Sequence, residues 1–582
     1  MYPLHTPKYL WHLFLFLMFF NLPNLVFSQE TEVELPPVSN YYKEVREGTY
    51  IPVDRESMPT SPAFNGSTSE FIFRQVNINA NGENIVGDAA NEPSIAIDPT
   101  NPDRIVIGWR QFDNINDSFR QAGFAYSTDG GESWTFPGSI DPGVFRSDPV
   151  LSADAEGNFH YNSLRVEDNE FFCTQFKSTG DGTWDEGTFA QGGDKQWMTI
   201  DNSGGEGDGH IYSYWTDNFS FCFPNQFTRS TDDNLSFEDC TSIPEDPFWG
   251  TLVVDADGVL YAAGANPSSF GLMVVRSDNA QKAEETPEWN QVVSADLGGF
   301  SLAFAGIDSP NPSGLMGQYW VDVDRSGGLN HGNVYVLSSL RPNDNLDPCD
   351  VFFARSTDGG LTWSNPVKVN DDLSFGAWQW LASMSVAPNG RIDAVWLDTR
   401  DNPGSFDSKL FYSFSEDGGL SWSANEALLD LPFDPHVGWP QQQKMGDYFH
   451  MLSDEEGAHL AWAATYNGEQ DVYYGRIRLG SVSVQEQIQN KGGLFQNYPN
   501  PFYEQTAISY AILEAGKVNL SIYNELGQVV KTVVEEHQPT GDYTVQWNGQ
   551  SQSGQPVKAG VYFYELKVNG FTIASKRLMY IR

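Results

Sequence analysis

Apolar and polar residues alternate in short runs along most of this chain, and turns rich in Asp, Asn, Gly and Pro separate the runs. Such alternation over about four to eight residues is typical of half-buried β-strands. Seven segments combine a strand, a turn of this kind and a second strand rich in β-branched and aromatic residues, and they begin at Glu92, Ser147, Asp194, Trp249, Gln318, Trp378 and Gly446. We therefore predict an all-β protein built from repeated hairpins.

An eight-residue motif returns three times between the hairpins, as STDGGESW (127–134), STDGGLTW (356–363) and SEDGGLSW (415–422). The aspartate can accept backbone N–H bonds inside the turn, the glycines allow positive φ, and the tryptophan can pack beneath the hairpin. These roles predict a structural staple rather than a catalytic element. The predicted structural residues are Asp129, Trp134, Asp358, Trp363, Asp417 and Trp422.

The hairpins recur roughly every 45 to 70 residues, and this spacing is typical of one four-stranded blade per repeat. The sequence thus predicts a seven-bladed β-propeller. The seventh unit lacks the eight-residue motif, and an isolated strand lies at Ser69–Asn79, so this strand is expected to complete the last blade and close the ring. Six blades are the alternative, because the fourth unit is degenerate.

The two ends of the chain differ from the repeats. Residues 1–28 have the layout of a secretory signal peptide, with an uncleaved membrane anchor as the alternative, and residues 29–68 form an N-terminal extension. The propeller is expected at 69–480, a polar linker at 481–493 and a small Ig-like β-sandwich at 494–582. No later segment is long and apolar enough to span a bilayer.

The charge balance excludes some partners. The 77 acidic and 33 basic residues give a formal net charge of -44, which repels nucleic acid and anionic membrane surfaces. The four cysteines are too few for a disulfide scaffold, although Cys222 and Cys240 flank a turn and form a possible disulfide. No metal-ligand motif is present, and no cofactor is expected. Structural calcium at the turns that begin with Asp255 or Asp322 is the alternative.

Propeller geometry places the start of each first strand and the end of each second strand at one mouth of the central channel, with the eight-residue motifs on the opposite face. Four second strands end in arginine, whose planar fork binds carboxylate or phosphate well. We predict a clamp for an anionic ligand, with inter-blade salt bridges as the alternative. The arginines are Arg110, Arg165, Arg341 and Arg400. First strands bring Glu92, Asp148, Asp194, Trp197, Trp320, Trp380, Asp447 and Tyr448 to this mouth.

The eight-residue motifs are Asp boxes, and with the blade pattern over residues 70–480 they resemble the sialidase superfamily and its BNR-repeat relatives. The resemblance implies an arginine triad (Arg110, Arg341, Arg400), a tyrosine nucleophile (Tyr448 or Tyr319) assisted by Glu92, and an acid/base at Asp148 or Asp194. The family's F-R-I-P motif stands here only as FRQV (73–76). We therefore predict a glycan- or protein-binding propeller, with a sialidase-like exo-acting glycoside hydrolase as the alternative.

The last ninety or so residues carry FQNYPNPF (495–502), IYNELGQVV, GDYTVQWNG, AGVYFYEL and a terminal KRLMYIR. These motifs resemble the type A C-terminal sorting domain of the type IX secretion system of Bacteroidetes. The resemblance implies delivery across the outer membrane of a Gram-negative bacterium, followed by release or by attachment to the cell surface.

Overall fold

The computed structural model describes residues 49–479, except 69, 169 and 403, and residues 492–581, except 495, 496, 498, 501, 513, 514, 525, 526 and 570. The predicted signal peptide (1–28), the first part of the N-terminal extension and most of the predicted linker (481–493) lie outside the described residues.

The described chain is all-β, with two short 3-10 turns at Arg55–Ser57 and Asp217–Phe219 and no α-helix. Four strands come first: β1 (Thr60–Pro62), β2 (Gly66–Ser67), β3 (Phe71–Gln75) and β4 (Glu83–Ile85). β1 pairs with β4 in a small sheet of its own.

Seven antiparallel sheets follow between β5 and β31, and we number them I to VII. Sheet I contains β5 (Ala89–Ile97), β6 (Ile105–Phe112), β7 (Gln121–Ser127) and β8 (Thr135–Ile140). Sheet II contains β9 (Ser147–Ala153), β10 (Phe159–Glu167), β11 (Glu170–Ser178) and β12 (Thr188–Phe189). Sheet III contains β13 (Trp197–Ile200), β14 (Ile211–Tyr214) and β15 (Phe227–Ser230). Sheet IV contains β16 (Leu252–Val254), β17 (Leu260–Ala265), β18 (Leu272–Ser277) and β19 (Gln291–Ala295).

Sheet V contains β20 (Gly299–Phe300), β21 (Trp320–Val323), β22 (Val334–Pro342), β23 (Asp350–Ser356) and β24 (Val367–Lys368). Sheet VI contains β25 (Gln379–Val386), β26 (Ile392–Asp398), β27 (Lys409–Ser415) and β28 (Glu426–Ala427). Sheet VII contains β29 (His450–Ser453), β30 (Gly457–Ala464) and β31 (Asp471–Arg478), together with β3 and β2.

The sheets form a ring, because their inner strands contact one another in turn and β29 of sheet VII contacts β5 of sheet I. These inner strands are β5, β9, β13, β16, β21, β25 and β29. This arrangement is that of a β-propeller. Large apolar side chains from neighbouring sheets fill the space between them, including the fully buried Trp109, Trp215, Trp396 and Trp462. The fourth unit, degenerate in sequence, still forms a four-stranded sheet.

The ring is closed by a strand from the start of the chain. β3 pairs with β31 in antiparallel register, with Phe73 opposite Gly475, so the N-terminal strand becomes part of sheet VII. This pairing confirms the role predicted for Ser69–Asn79. At the same seam Arg55 of the N-terminal extension forms an ion pair with the buried Asp88 at 2.9 Å.

The eight-residue motifs have the predicted internal bonding. In the copy at 356–363, Asp358 accepts hydrogen bonds from the Thr362 backbone N–H at 2.8 Å, the Thr362 hydroxyl and the Ser356 hydroxyl. Trp363 Nε1 donates to the Gly360 carbonyl oxygen at 3.1 Å. Asp129 and Asp417 bond in the same way, and Trp134 Nε1 donates to Gly131. A related segment, STDDNLSF (230–237), ends in phenylalanine where the motif has tryptophan, and it repeats the aspartate contacts at Asp232.

The C-terminal residues form two sheets with a shared apolar core that includes Phe502, Trp547 and Tyr564. One sheet contains β32 (Gly492–Leu494), β33 (Thr506–Ile512) and β36 (Gly541–Trp547). The other contains β34 (Gly516–Tyr523), β35 (Val529–Gln538), β37 (Gly560–Val568) and β38 (Phe571–Tyr580).

Candidate functional site

The mouth of the ring is defined by one position at the start of each inner strand. Counting back from the turn that ends each strand, the equivalent residues are Glu92, Asp148, Lys195, Trp249, Gln318, Leu381 and Tyr448. Five of them have positive φ between 48° and 58°. Pairing is irregular at this point in sheets I, II and VI, so the left-handed backbone belongs to a bulge shared by several sheets.

A network of buried ion pairs lies at this mouth. Arg110 Nε is 3.0 Å from Glu92 Oε2, and Lys444 Nζ is 3.4 Å from Glu92 Oε1 and 2.8 Å from Asp447 Oδ2. Lys195 pairs with Asp447, and its backbone N–H donates to Asp148 Oδ2 at 3.1 Å. Sheets I and II and the segments before sheets III and VII thus contribute three carboxylates and three cations.

The carboxylates in this network have different pKa values. Burial raises the pKa of Glu92 to about 7, although Arg110 and Lys444 oppose the shift. Burial also acts on Asp148, but the fields of Lys195 and Arg110 outweigh it and lower the pKa to about 2. Lys195 and Lys444 hold the pKa of Asp447 well below its ordinary value against the effect of burial. Glu92 is therefore the carboxyl of this network that titrates near neutral pH.

Neither predicted nucleophile presents a hydroxyl to solvent. Tyr448 is buried, and its hydroxyl donates to the Pro149 carbonyl oxygen at 2.7 Å. Tyr319 is buried as well, and its hydroxyl donates to the Phe270 carbonyl oxygen at 2.7 Å. Burial raises the pKa of both tyrosines above the ordinary value. Both hydroxyls serve as structural donors.

The four arginines predicted to form a clamp lie in separate environments. Arg110 is 1% exposed and belongs to the mouth network, whereas Arg165 pairs with Glu167 of its own sheet at 2.9 Å. Arg341 Nε donates to Asn345 Oδ1 at 3.1 Å. Arg400 pairs with Asp398 and with Asp371, at 2.7 Å in each case. Each arginine thus has polar partners of its own, and those of Arg400 include Asp371 in the segment between sheets V and VI, so a clamp shared by all four stays a prediction.

The predicted aromatic residues do not form an exposed platform. Trp197 and Trp320 form a buried plug, with ring centroids 5.0 Å apart, and His450 lies within 5.6 Å of both. Trp380 is buried and its Nε1 donates to the Ser408 hydroxyl. Asp194 is buried near Cys173; burial raises the pKa of that thiol, and the charge of Asp194 adds slightly to the shift. The three tryptophans are thus part of the packed core of the ring.

Several residues of the mouth do not stand out in the strand-end pattern, among them Lys195, Lys444 and Trp249. Lys195 and Lys444 supply two of the three cations of the ion-pair network, and Trp249 is half-buried in a cluster with Phe248, Phe270 and Phe304. Aligning the inner strands on their terminal turn would have found Lys195 and Trp249, because they share the position of Glu92. Lys444 lies outside that alignment.

A cavity of about 310 Å³ lies at the other end of the inner strands. The inner strands of all seven sheets line it, and its polar residues include Ser152, Thr199, Asn202 and Asp322. Trp197 and Trp320 come two residues after the mouth positions Lys195 and Gln318. Their buried plug therefore lies between this cavity and the ion-pair network at the mouth.

The two acidic turns that are the alternative calcium sites hold their carboxylates in hydrogen bonds to neighbouring protein groups. Asp255 accepts backbone N–H bonds from Asp257 and Val259, and Asp322 accepts from Val386 of the neighbouring sheet and from Arg325. In the described part of the chain, no group of three or more His, Cys, Asp or Glu residues is arranged to hold a metal ion. Cys222 and Cys240 are joined in a disulfide with Cα atoms 6.1 Å apart.

Residues 506–570 match the family model of the FlgD Ig-like domain. No curated protein sequence matches the chain. A protein of unknown function from Dyadobacter fermentans has 14% identity and a TM-score of 0.39, over 70% of this chain and 98% of that chain. The NanB sialidase of Streptococcus pneumoniae has 12% identity and a TM-score of 0.35, over 74% and 71%.

PorZ, a surface component of the type IX secretion system of Porphyromonas gingivalis, has 13% identity and a TM-score of 0.29, over 84% of this chain and 51% of that chain. All three TM-scores lie below 0.5. The ring is therefore recognised from the strand pairing and strand contacts of this chain itself. No helix among the described residues is long and apolar enough to cross a membrane.

Proposed function

We propose that this protein is an exported, non-catalytic binding propeller with seven blades, one for each of sheets I to VII. The observation that carries the proposal is the state of the mouth: Glu92, Arg110, Asp148 and Asp447 are at most 2% exposed and are neutralised by each other and by two lysines. General acid or nucleophilic catalysis needs such groups within reach of a substrate. At this mouth they act as a structural network.

The ligand is a glycan or a glycoprotein. The resemblance of the Asp boxes to those of the sialidase superfamily supports a carbohydrate. Half-buried aromatic side chains at the mouth provide faces that can stack on sugar rings. The alternative is an exo-acting glycoside hydrolase, and it requires a mouth that opens to expose Tyr448 or a carboxylate.

We further propose that residues 494–582 direct the chain through the type IX secretion system to the outer cell surface or the medium. The FQNYPNPF and KRLMYIR motifs and the Ig-like sandwich support this role. The signal peptide at 1–28 would supply the preceding step across the inner membrane.

Turnover and binding should be measured on the same mature protein. We expect no hydrolysis of a fluorogenic sialoside or of a panel of aryl glycosides, and saturable binding on a glycan array. Turnover that disappears in Arg110→Met and Tyr448→Phe, with the fold retained, would replace this proposal with the hydrolase. For export, deletion of residues 494–582 should leave the protein in the periplasm of a type IX-competent host, and normal surface delivery would contradict the assigned role.

A further inference from the structure

One side of the mouth is aromatic rather than charged. The Trp249 ring lies 4.5 Å from Phe248, 5.9 Å from Phe270 and 6.4 Å from Phe304, measured between ring centroids. All four side chains are half-buried, so each keeps some surface exposed. Trp249 occupies the same position in sheet IV that Glu92 occupies in sheet I. This aromatic step, as we call the four residues, therefore borders the ring's opening.

The backbone of the aromatic step is unusual. Trp249, Phe270 and Phe304 have φ values of 57°, 55° and 53°, a region that bulky residues rarely adopt. The bulge shared by the inner strands accounts for Trp249, whereas Phe270 and Phe304 lie in separate loops. Their backbones are fixed by bonds from Ser301 N to Phe270 O and from Phe304 N to Gly314 O. Strained conformations held in this way are concentrated at ligand sites.

Gln318 carries a buried amide, and its backbone lies next to that of the aromatic step. The Tyr319 N–H donates to the Trp249 carbonyl oxygen at 3.0 Å, and this bond places the adjacent Gln318 next to Trp249 at the mouth. Gln318 is 5% exposed, and its Nε2 has no hydrogen-bond partner among the described residues. A buried donor without a partner costs about 1–3 kcal/mol. An acceptor oxygen from a bound molecule would remove that cost.

The charge distribution decides which class of ligand fits. The cations Arg110, Lys195 and Lys444 already pair with Glu92 and Asp447 in the mouth network. The formal net charge of -44 repels anions at long range. An aromatic face and an amide, by contrast, match the C–H face and the hydroxyl groups of an uncharged pyranose.

We infer that the mouth binds an uncharged pyranose ring of a glycan, stacked on Trp249 and hydrogen-bonded by the Gln318 amide. This inference rests on the proposed binding function and narrows its ligand class. The inference distinguishes this mouth from a site for sialic acid, whose carboxylate needs cations that are not already paired with carboxylates of the protein.

The test uses the mature full-length chain with cellohexaose, mannohexaose and xylohexaose as uncharged probes and 3'-sialyllactose as the charged probe. Isothermal titration and tryptophan fluorescence should show that at least one uncharged hexasaccharide binds and that sialyllactose does not. Trp249→Ala is expected to weaken binding at least tenfold and Gln318→Ala about fivefold. Phe189→Ala, an exposed aromatic residue of sheet II, is the matched control and should bind like the unaltered protein. Trp249→Phe keeps an aromatic ring at this position and should fold normally, so it controls for misfolding of Trp249→Ala. Its loss of binding affinity should lie between those of the unaltered protein and Trp249→Ala.

The outcomes separate this inference from the proposed function. Binding that survives both Trp249→Ala and Gln318→Ala would place the glycan elsewhere and overturn the mouth site, while the binding function stands. Preference for sialyllactose, or binding by none of the uncharged probes, would overturn the ligand class. Hydrolysis of any probe by the unaltered protein would overturn the proposed function itself.

Discussion

The Tyr448 hydroxyl lies 2.7 Å from the Pro149 carbonyl oxygen, and this hydrogen bond joins the segment leading into sheet VII to the first strand of sheet II. Sheet I stands between these two sheets in the ring. The bond therefore links two sheets that are not direct neighbours in the ring, and it uses the one proton that a tyrosine nucleophile would have to release. The same region holds the buried ion pairs of Glu92 and Arg110.

Tyr448→Phe tests whether this hydroxyl is structural. Removing it leaves the Pro149 carbonyl without its donor, so we expect a loss of about 1–3 kcal/mol in the free energy of unfolding. Glycan binding should be unchanged, because the hydroxyl is not exposed. Urea unfolding followed by tryptophan fluorescence provides the measurement. Unchanged stability together with lost turnover would indicate a nucleophile instead.

Arg110→Met and Arg165→Met compare two arginines that end equivalent strands. Arg110 is buried against Glu92, so its removal leaves a buried carboxylate without its nearest cation, and we expect a loss of about 3–5 kcal/mol in unfolding free energy. Arg165 pairs with the exposed Glu167, and its removal should cost about 0–1 kcal/mol. Equal losses in urea unfolding would show that the two sites do not differ as described.

The fold was largely predictable because its determinants are local. Alternation within each hairpin and the bonding of each Asp box depend on residues a few positions apart, as in the contacts of Asp358 with Ser356 and Thr362. Closure of the ring by β3 was predictable too, since an isolated strand at one end matched a missing strand at the other.

The site was less predictable because it depends on contacts between distant segments. Lys195 and Asp447 are far apart in sequence, and only the ring brings them together. Arg110 and Arg165 follow the same sequence pattern at the ends of their strands. Arg110 joins the mouth network through Glu92, whereas Arg165 pairs with Glu167 on its own strand. Strand registers alone therefore do not predict which side chains at the mouth are buried in ion pairs and which are exposed to solvent.

Asp358→Ala tests the role of the boxes. The change removes three hydrogen bonds inside one turn, and because the carboxylate is largely exposed we expect a loss of about 1–2 kcal/mol in unfolding free energy. Glycan binding at the mouth should not change, since the box lies on the opposite face. Glu416→Ala, at an exposed position of another box, is the control and should alter stability by less than about 0.5 kcal/mol. A binding defect in Asp358→Ala would assign the boxes a functional role.

The Cys222–Cys240 disulfide closes a loop with a sequence separation of 18. The double variant Cys222→Ser with Cys240→Ser should lose about 3 kcal/mol of unfolding free energy, because the unfolded chain regains the freedom of that loop. A reducing agent should lower the stability of the unaltered protein by a similar amount and leave the double variant unchanged. Sensitivity of the double variant to reductant would contradict this assignment.

Asp88 at the ring seam makes stability depend on pH. Burial raises its pKa to about 7, with Glu469 and Asp113 adding to the shift and Arg55 and Gln111 opposing it. An ordinary aspartate in the unfolded chain titrates near 3.9, so the folded state holds the extra proton between about pH 4 and 7. Stability is therefore greatest at the acidic end of that range and falls as the pH rises through 7.

Asp88→Asn should flatten this dependence, because the amide has no proton to lose, and Arg55 keeps Asp113 as a partner at 3.3 Å. Urea unfolding midpoints at pH 5, 6, 7 and 8 provide the comparison. The unaltered protein and the control Asp113→Asn should both lose stability over this range, while Asp88→Asn should lose less. Glu92, whose pKa burial also raises to about 7, leaves a residual slope of the same sign. Parallel slopes in all three proteins would show that Asp88 is already ionised at pH 5 in the folded ring.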